Sequence, residues 1–267
     1  MLRSFGVMIL IAAVGGSRIA AAETVPAQNA EALALLTRMA ESVSSLQHFS
    51  YKIRAGYDVV QKDGQKIEFL ESRNIVINRP DHVRCDYVQT DGSEGSLSFD
   101  GKELTLYNKT DNASATTATA GSIDDAIEVM SGKLGIRMPL AMLISTRLPE
   151  MLRSNIKSAD VVETTTLDGA TCVHLAARGE RVDLQVWLPQ DQQQLPRRIV
   201  ITYKLEKGMP EYRADLSEWK VEGKQEAVAF DLAIPADADK MEFHAVAGRK
   251  GTATGTARTS QGTEAKP

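Results

Sequence analysis

From Tyr51 to Val59 the sequence alternates without a break. Tyr51, Ile53, Ala55, Tyr57 and Val59 share one parity, and Lys52, Arg54, Gly56 and Asp58 share the other. A period of two is the signature of a β-strand with one dry face and one wet face. Shorter versions of the pattern recur along most of the chain. A sheet built from such strands leaves one side in water and needs cover for the other, because each exposed apolar face forfeits about 25 cal/mol per Å².

The runs are separated by turn signals. Asp63-Gly64, Asp91-Gly92 and Asp100-Gly101 lie between alternating segments and describe an antiparallel meander of hairpins. Residues 66–78 carry Ile67, Phe69, Ile75 and Ile77 on one face, but Glu71 and Arg73 share that parity, so a bend or bulge is expected there. Pro80 ends the run, and residues 82–89 follow with Val83, Cys85 and Tyr87 on one face. Residues 110–121 are low-complexity Thr/Ala and are predicted to be a surface loop. Strands resume from Ala159, turn at Asp168-Gly169, and continue through Leu184 and Val186, then Ile199 and Ile201. A strand through Tyr212, Ala214 and Leu216 changes parity before Trp219, and a last short one is expected at 227–232. The total is ten or eleven strands.

Two helical elements interrupt this pattern. Residues 28–47 form an amphipathic helix with Ala32, Leu35, Leu36, Met39, Val43 and Leu46 on one stripe. The second element, residues 122–153, has Ile123, Ile127 and Met130 at helical spacing, then Leu140, Leu143 and Ile144. Ser122 is placed to cap its first helix, Pro139 to begin a second and Pro149 a third. Four of the nine methionines are here: Met130, Met138, Met142 and Met151. Methionine repacks easily around guests of different shape. The segment is therefore read as either a plug that completes the core or a lid over an apolar cavity. In the second case Tyr51, Ile53, Tyr57, Phe69, Leu184 and Val186 line the floor, and Ile127, Met130, Met138, Leu140, Met142 and Leu143 form the cover. The predicted class is α+β: a strongly curved antiparallel sheet forming an unclosed β-barrel, or half-barrel, with an N-terminal helix and an inserted helical lid or plug.

The first 22 residues read as a secretory signal, with Arg3, an apolar run from Val7 to Val14 and Ala20-Ala21-Ala22 before Glu23. The run spans roughly ten residues against the ~20 needed to cross a membrane, so the expectation is an exported, periplasmic protein that is not integral to the membrane. One domain over residues 23–244 and a disordered tail over 245–267 complete the plan. The formal charge of −4 becomes −6 once Arg3 and Arg18 are removed (−4 − 2), which argues against a nucleic-acid partner. Export permits a disulfide between Cys85 and Cys172, and two free thiols are the open alternative. His48, His82, His174 and His244 stand in no metal or catalytic spacing, and His82 and Cys85 in one strand point to opposite faces. Neither a cofactor nor an enzymatic activity is expected.

The run ESRNIVINRPDHVRCDYVQTDGSEGSLSFDGKELTLYN resembles the sheet of the outer-membrane lipoprotein carrier (LolA/LolB-like) superfamily. The matching positions are Arg79-Pro80, Arg84 with Tyr87, and Ser98 to Lys102 with Leu104 and Tyr107. The later runs VDLQVWLPQDQQQLPRRIVITYK, EYRADLSEWK and MEF are closer to a family of predicted periplasmic proteins thought to share that fold. The resemblance covers residues 32–243. It implies a half-barrel with a helical lid over a hydrophobic cavity that takes a lipid or lipoprotein acyl chain, and it assigns the lid-holding arginine to Arg84. An envelope sensor or interaction module, its hollow filled by its own helices and its partner an envelope protein, is the rival that the same resemblance allows.

Overall fold

The computed structural model describes residues 27–221, 223 and 230–243. The signal-like stretch 1–22 and the tail 245–267 lie outside the described residues, as do residues 227–229 of the strand expected at 227–232, while residues 230–232 are described and form no strand. Helix α1 (Ala27–Ser45) leads into strands β1 (His48–Val60), β2 (Lys66–Asn78), β3 (His82–Gln89), β4 (Glu94–Phe99), β5 (Glu103–Asn108) and β6 (Ala113–Ala118). The helical insertion holds α2 (Ile123–Glu128) and α3 (Leu148–Asn155). After it come β7 (Ile156–Leu167), β8 (Ala170–Gly179), β9 (Val182–Pro189), β10 (Arg198–Tyr203), β11 (Glu211–Lys220) and the short β12 (Asp239–Met241).

The twelve strands among the described residues belong to one sheet, in the order β12-β6-β5-β4-β3-β2-β1-β11-β10-β9-β8-β7. Every pairing is antiparallel except that of β12 with β6. Two meanders, β1 to β6 and β7 to β11, are joined at the centre by β1 against β11. β6 and β7 stand at opposite sides of the sheet, so the chain between them has to traverse the sheet's width. It does so across the inner face, and with α1 it encloses a single core that includes Leu36, Met39, Tyr51, Ile53, Leu143 and Val186. The half-barrel read from the alternation is the architecture observed.

Local details follow from the residues. Asp168 and Gly169 both take positive φ, 48° and 76°, which suits the right-handed twist of the β7–β8 hairpin. The parity change before Trp219 is a β-bulge: Glu218 has φ of 52°, and the β1–β11 register shifts between Ser50 and Lys52. Two expectations are corrected. Residues 113–118 form β6 rather than a loop, since the Thr-rich alternation extends well and pairs residue for residue with β5. No bulge interrupts β2, whose register with β1 runs unbroken from Asn78 to Lys66, so Glu71 and Arg73 point inward.

The cysteines are free thiols, which corrects the disulfide alternative. Cys85 in β3 and Cys172 in β8 are separated by six strand-to-strand steps of about 4.8 Å each. They also face opposite sides, Cys85 with the inward Ile75 and Cys172 with the outward His174 parity. A bridge requires Cα atoms within roughly 7 Å.

On the outer face Asp58 anchors the sheet centre. It accepts from Arg213 Nη1 at 2.9 Å and from the Glu211 amide at 3.0 Å, with Lys66 at 3.7 Å. Burial alone would raise its pKa, but these partners outweigh burial and hold it below the usual carboxylate range. The stability it contributes is therefore complete above about pH 4, the ordinary carboxylate value, and is lost as pH falls through its own lower pKa. Asp58→Asn is expected to cost about 2 kcal/mol at pH 7. In urea unfolding the difference from wild type should close as the pH falls toward 2, and a gap that persists unchanged there would refute the assignment.

Candidate functional site

The register places Phe49, Tyr51, Ile53, Ala55, Tyr57 and Val59 of β1 inward, opposite Ile77, Ile75, Arg73, Glu71, Phe69 and Ile67 of β2. On the other side Tyr57, Ala55 and Ile53 pair with Tyr212, Ala214 and Leu216 of β11. The floor is dry near Tyr51 and Ile53, each 1% exposed, and opens toward the β1–β2 turn, where Phe69 is 40% exposed. Tyr57 and Phe69 stack there with ring centres 5.9 Å apart. That end of the inner face is the least covered.

The cover is irregular, broken by a π-turn and a left-handed residue. Ser122 caps α2 through a reciprocal box with Asp125, as its position predicts. The helix then widens into a π-turn at Val129–Lys133, where the Leu134 amide reaches back five residues to the Val129 carbonyl. Pro139 starts no α-helix, because Leu140 turns left-handed at φ 65° and only the single 3-10 turn Ala141–Leu143 follows. A bulky residue in that region costs on the order of 1 kcal/mol or more. α3 begins one residue before Pro149, as expected.

The cover is tied down at two places. At its start, the Ile123 amide donates to the Pro80 carbonyl at 2.8 Å, and Asp124 accepts from Ser145 and Thr146. At its far end, Arg137 forks onto Glu206 at 2.9 and 3.1 Å, and its guanidinium lies 3.9 Å above the Tyr203 ring. Tyr203 ends β10, so Arg137 fastens the crossing segment to the rim opposite its origin.

The inner face also carries an unexpected polar group. Glu71, 7% exposed, accepts from Arg73 at 2.9 Å and from the Tyr212 hydroxyl at 2.9 Å. Ala55 and Ala214, small residues in the Glu71 row, leave room for the Tyr212 ring to lean over. Burial pushes the Tyr51 and Tyr212 phenols well up, so both are neutral at any physiological pH. Burial would lower Arg73, but the Glu71 carboxylate beside it outweighs burial and keeps it charged. Burial likewise pushes the Cys85 thiol up to about 11, with Glu71 and Asp86 adding to it and Arg73 opposing. Among the described residues no group of three or more His, Cys, Asp and Glu is arranged to hold a metal ion.

Of the residues singled out from sequence, Tyr51, Ile53, Met130, Leu140, Leu143, Leu184 and Val186 are buried in the core, and Tyr57, Ile127, Met138 and Met142 pack half-buried against it. Phe69 lies at the exposed end of the inner face. Arg84 is not in the hollow. It lies on the outer face, pairing with Asp86 at 3.0 Å and donating to the Asp231 carbonyl at 3.0 Å. Arg79 does lie beneath the cover, 7% exposed, 5.4 Å over the Phe49 ring and within the field of Asp124. Arg84's parity, opposite to that of the inward Val83 and Cys85, forecasts its outward direction. Arg79 precedes Pro80 at the strand end, where alternation no longer decides direction. Glu71 and Arg73 were legible as charges of the wrong parity, but not as a pair.

Two shallow concavities lie beside α1. One of about 140 Å³ is lined by Ser42, Leu46 and Leu195, and one of about 300 Å³ by Glu31, Leu188 and Gln190. Within the hollow the cover fills the space, with Met130 at 1% exposure and Leu143 and Leu148 at 0%.

A single curved sheet left open at its edges, with a helical segment crossing its inner face and fastened at both sides, defines a half-barrel fold. Residues 32–244 match the model of the family described as predicted periplasmic proteins (DUF2092), and the chain belongs to that family. It is a periplasmic protein, and no helix among the described residues is long and apolar enough to cross a membrane. No curated protein matches it by sequence. Among solved structures it is similar to the Mycobacterium tuberculosis lipoprotein LppX, at 14% identity and TM-score 0.45 over 72% of this chain and 99% of that one. It is also similar to the Pseudomonas aeruginosa MucA/MucB complex structure, at 15% and 0.42 over 76% of this chain and 61% of that one. A LolA superfamily protein from Nitrosomonas europaea aligns at 10% and 0.36 over 75% and 97%.

The Arg137 tie is half-exposed and contributes about 1 kcal/mol, worth roughly fivefold in lid opening. Arg137→Ala is expected to raise the rate of Cys85 alkylation at pH 8 about fivefold. Cys172, on the opposite face, should keep its rate. An unchanged Cys85 rate would show that Arg137 does not hold the cover.

Proposed function

We propose that this protein is a periplasmic carrier or chaperone that holds the acyl chain of a lipid or lipoprotein in the hollow of its half-barrel. The observation that carries the reading is the cover itself. It is built from a π-turn, a left-handed leucine and a 3-10 turn rather than continuous helix, and four methionines lie along it. Such a segment is held by short local turns rather than one long helical ladder, so it can shift without unwinding a continuous helix, and its methionines repack readily. The half-exposed end of the inner face at Tyr57 and Phe69 gives an apolar chain an entry. A buried CH₂ is worth about 0.8 kcal/mol, so a chain of roughly 14 to 16 carbons repays displacement of the cover and the cost of association. The reading assigns binding and no catalysis.

A second reading rests on the density of the closed state. With Met130, Leu143 and Leu148 filling the hollow, the protein acts as an envelope sensor or interaction module that contacts a partner protein through its sheet edges or outer face.

Native mass spectrometry of the protein purified from periplasm without detergent separates the two. A co-purifying acyl species of defined mass, absent from the Met142→Asp/Leu143→Asp variant whose sheet signal is intact, is the result expected for the carrier. A bare mass that takes up no added phospholipid or lipoprotein would leave the interaction module.

A further inference from the structure

An apolar carrier does not need ions in its floor, yet Glu71 and Arg73 stand in the middle of this one. Removing two charges from water is costly, and burying such a pair brings little or no stability over apolar residues of the same volume. The pair is also incompletely satisfied. Glu71 uses its carboxylate on Arg73 and Tyr212. Arg73 Nε and the Tyr51 hydroxyl are buried with no hydrogen-bond partner at all. Orphaned buried donors are rare in folded proteins and each costs about 1–3 kcal/mol. Tyr51 is 1% exposed, and its Cα partner Ile75 is two residues from Arg73, so the two orphans come from diagonal neighbours on one face. Tyr87, from the next strand, lies across Gly95, where any side chain would collide with its phenol.

Resting on the acyl-carrier reading, we infer that Arg73 and Tyr51, held in place by Glu71 and Tyr212, form a receptor inside the hollow for a neutral hydrogen-bond acceptor, the ester or amide carbonyl that joins an acyl chain to its head group. The charge balance sets the chemical class. Glu71 cancels Arg73, so the cluster is neutral overall and offers two free donors. A carbonyl satisfies both donors without bringing in a charge, whereas a carboxylate would enter a dry site with no net positive charge to meet it. When the cover lifts and a chain enters, the donors that lack a partner in the closed state gain one. The receptor thereby selects acylated amphiphiles over hydrocarbons and sets how deep the chain rests.

The test compares 1-monopalmitoylglycerol with 1-O-hexadecylglycerol, which share chain length and head group but differ in the carbonyl, with palmitate as the charged competitor. Trp219 stacks on Tyr51 at 4.4 Å and reports occupancy by fluorescence, while Trp187 stacks on His174 away from the hollow and gives a constant background. The full chain is expected to bind the ester about tenfold more tightly than the ether. Tyr51→Phe, which removes one oxygen, and the charge-neutral double variant Glu71→Gln/Arg73→Met should each bring that ratio to within about twofold. Equal binding of ester and ether by the wild type would overturn the receptor and leave the acyl hollow standing. Palmitate binding more tightly than the ester would overturn the neutral-acceptor assignment. Variants that weaken both lipids equally would reduce the cluster to a structural role. If none of the three lipids binds, the carrier reading falls and the receptor with it.

Discussion

Pairing of β1 with β11 is the contact on which the rest depends. It joins two meanders, each with one dry face, into a sheet whose curvature turns both dry faces toward one interior. Neither meander alone has enough cover. α1 lies against β7 and α3, and the crossing segment supplies the remainder. Asp58 and Arg213 reinforce this seam from outside, while Tyr212 reaches across it on the inside to Glu71. The central seam is therefore tied on both faces by charged groups, an arrangement that the flanking hairpins do not need.

Much of this was legible in the chain. Period-two alternation and Asp-Gly turns act locally, within a few residues, and they gave the strands, the hairpins and the sidedness of the sheet. The bulge at Glu218 showed itself as a parity change. What stayed hidden depends on partners distant in sequence. Glu71 and Arg73 looked like an interruption because Tyr212, the residue that makes their burial tolerable, lies 141 positions away from Glu71. β6 looked like a loop because Thr and Ala carry little apolar signal, and only the β5 edge gives them a reason to extend.

The arginines teach the same lesson at smaller scale. Arg84 belongs to an alternating strand, and the alternation turns it outward to Asp86 and to the returning chain at Asp231. Arg79 stands where the strand ends at Pro80, and its inward direction is set by Phe49 and the Val43 carbonyl. Matching an arginine by its distance from a motif is weaker than asking which face its strand gives it.

The crossing segment also has a mechanical meaning. Because it leaves from β6, next to one edge, and arrives at β7, the opposite edge, it acts as a tie-bar across an arch. Flattening the arch stretches the bar, and lifting the bar lets the arch relax, so the curvature of the sheet and the height of the cover are one coordinate. Anything that grips the outer face and changes its curvature is thereby connected to the interior without touching it.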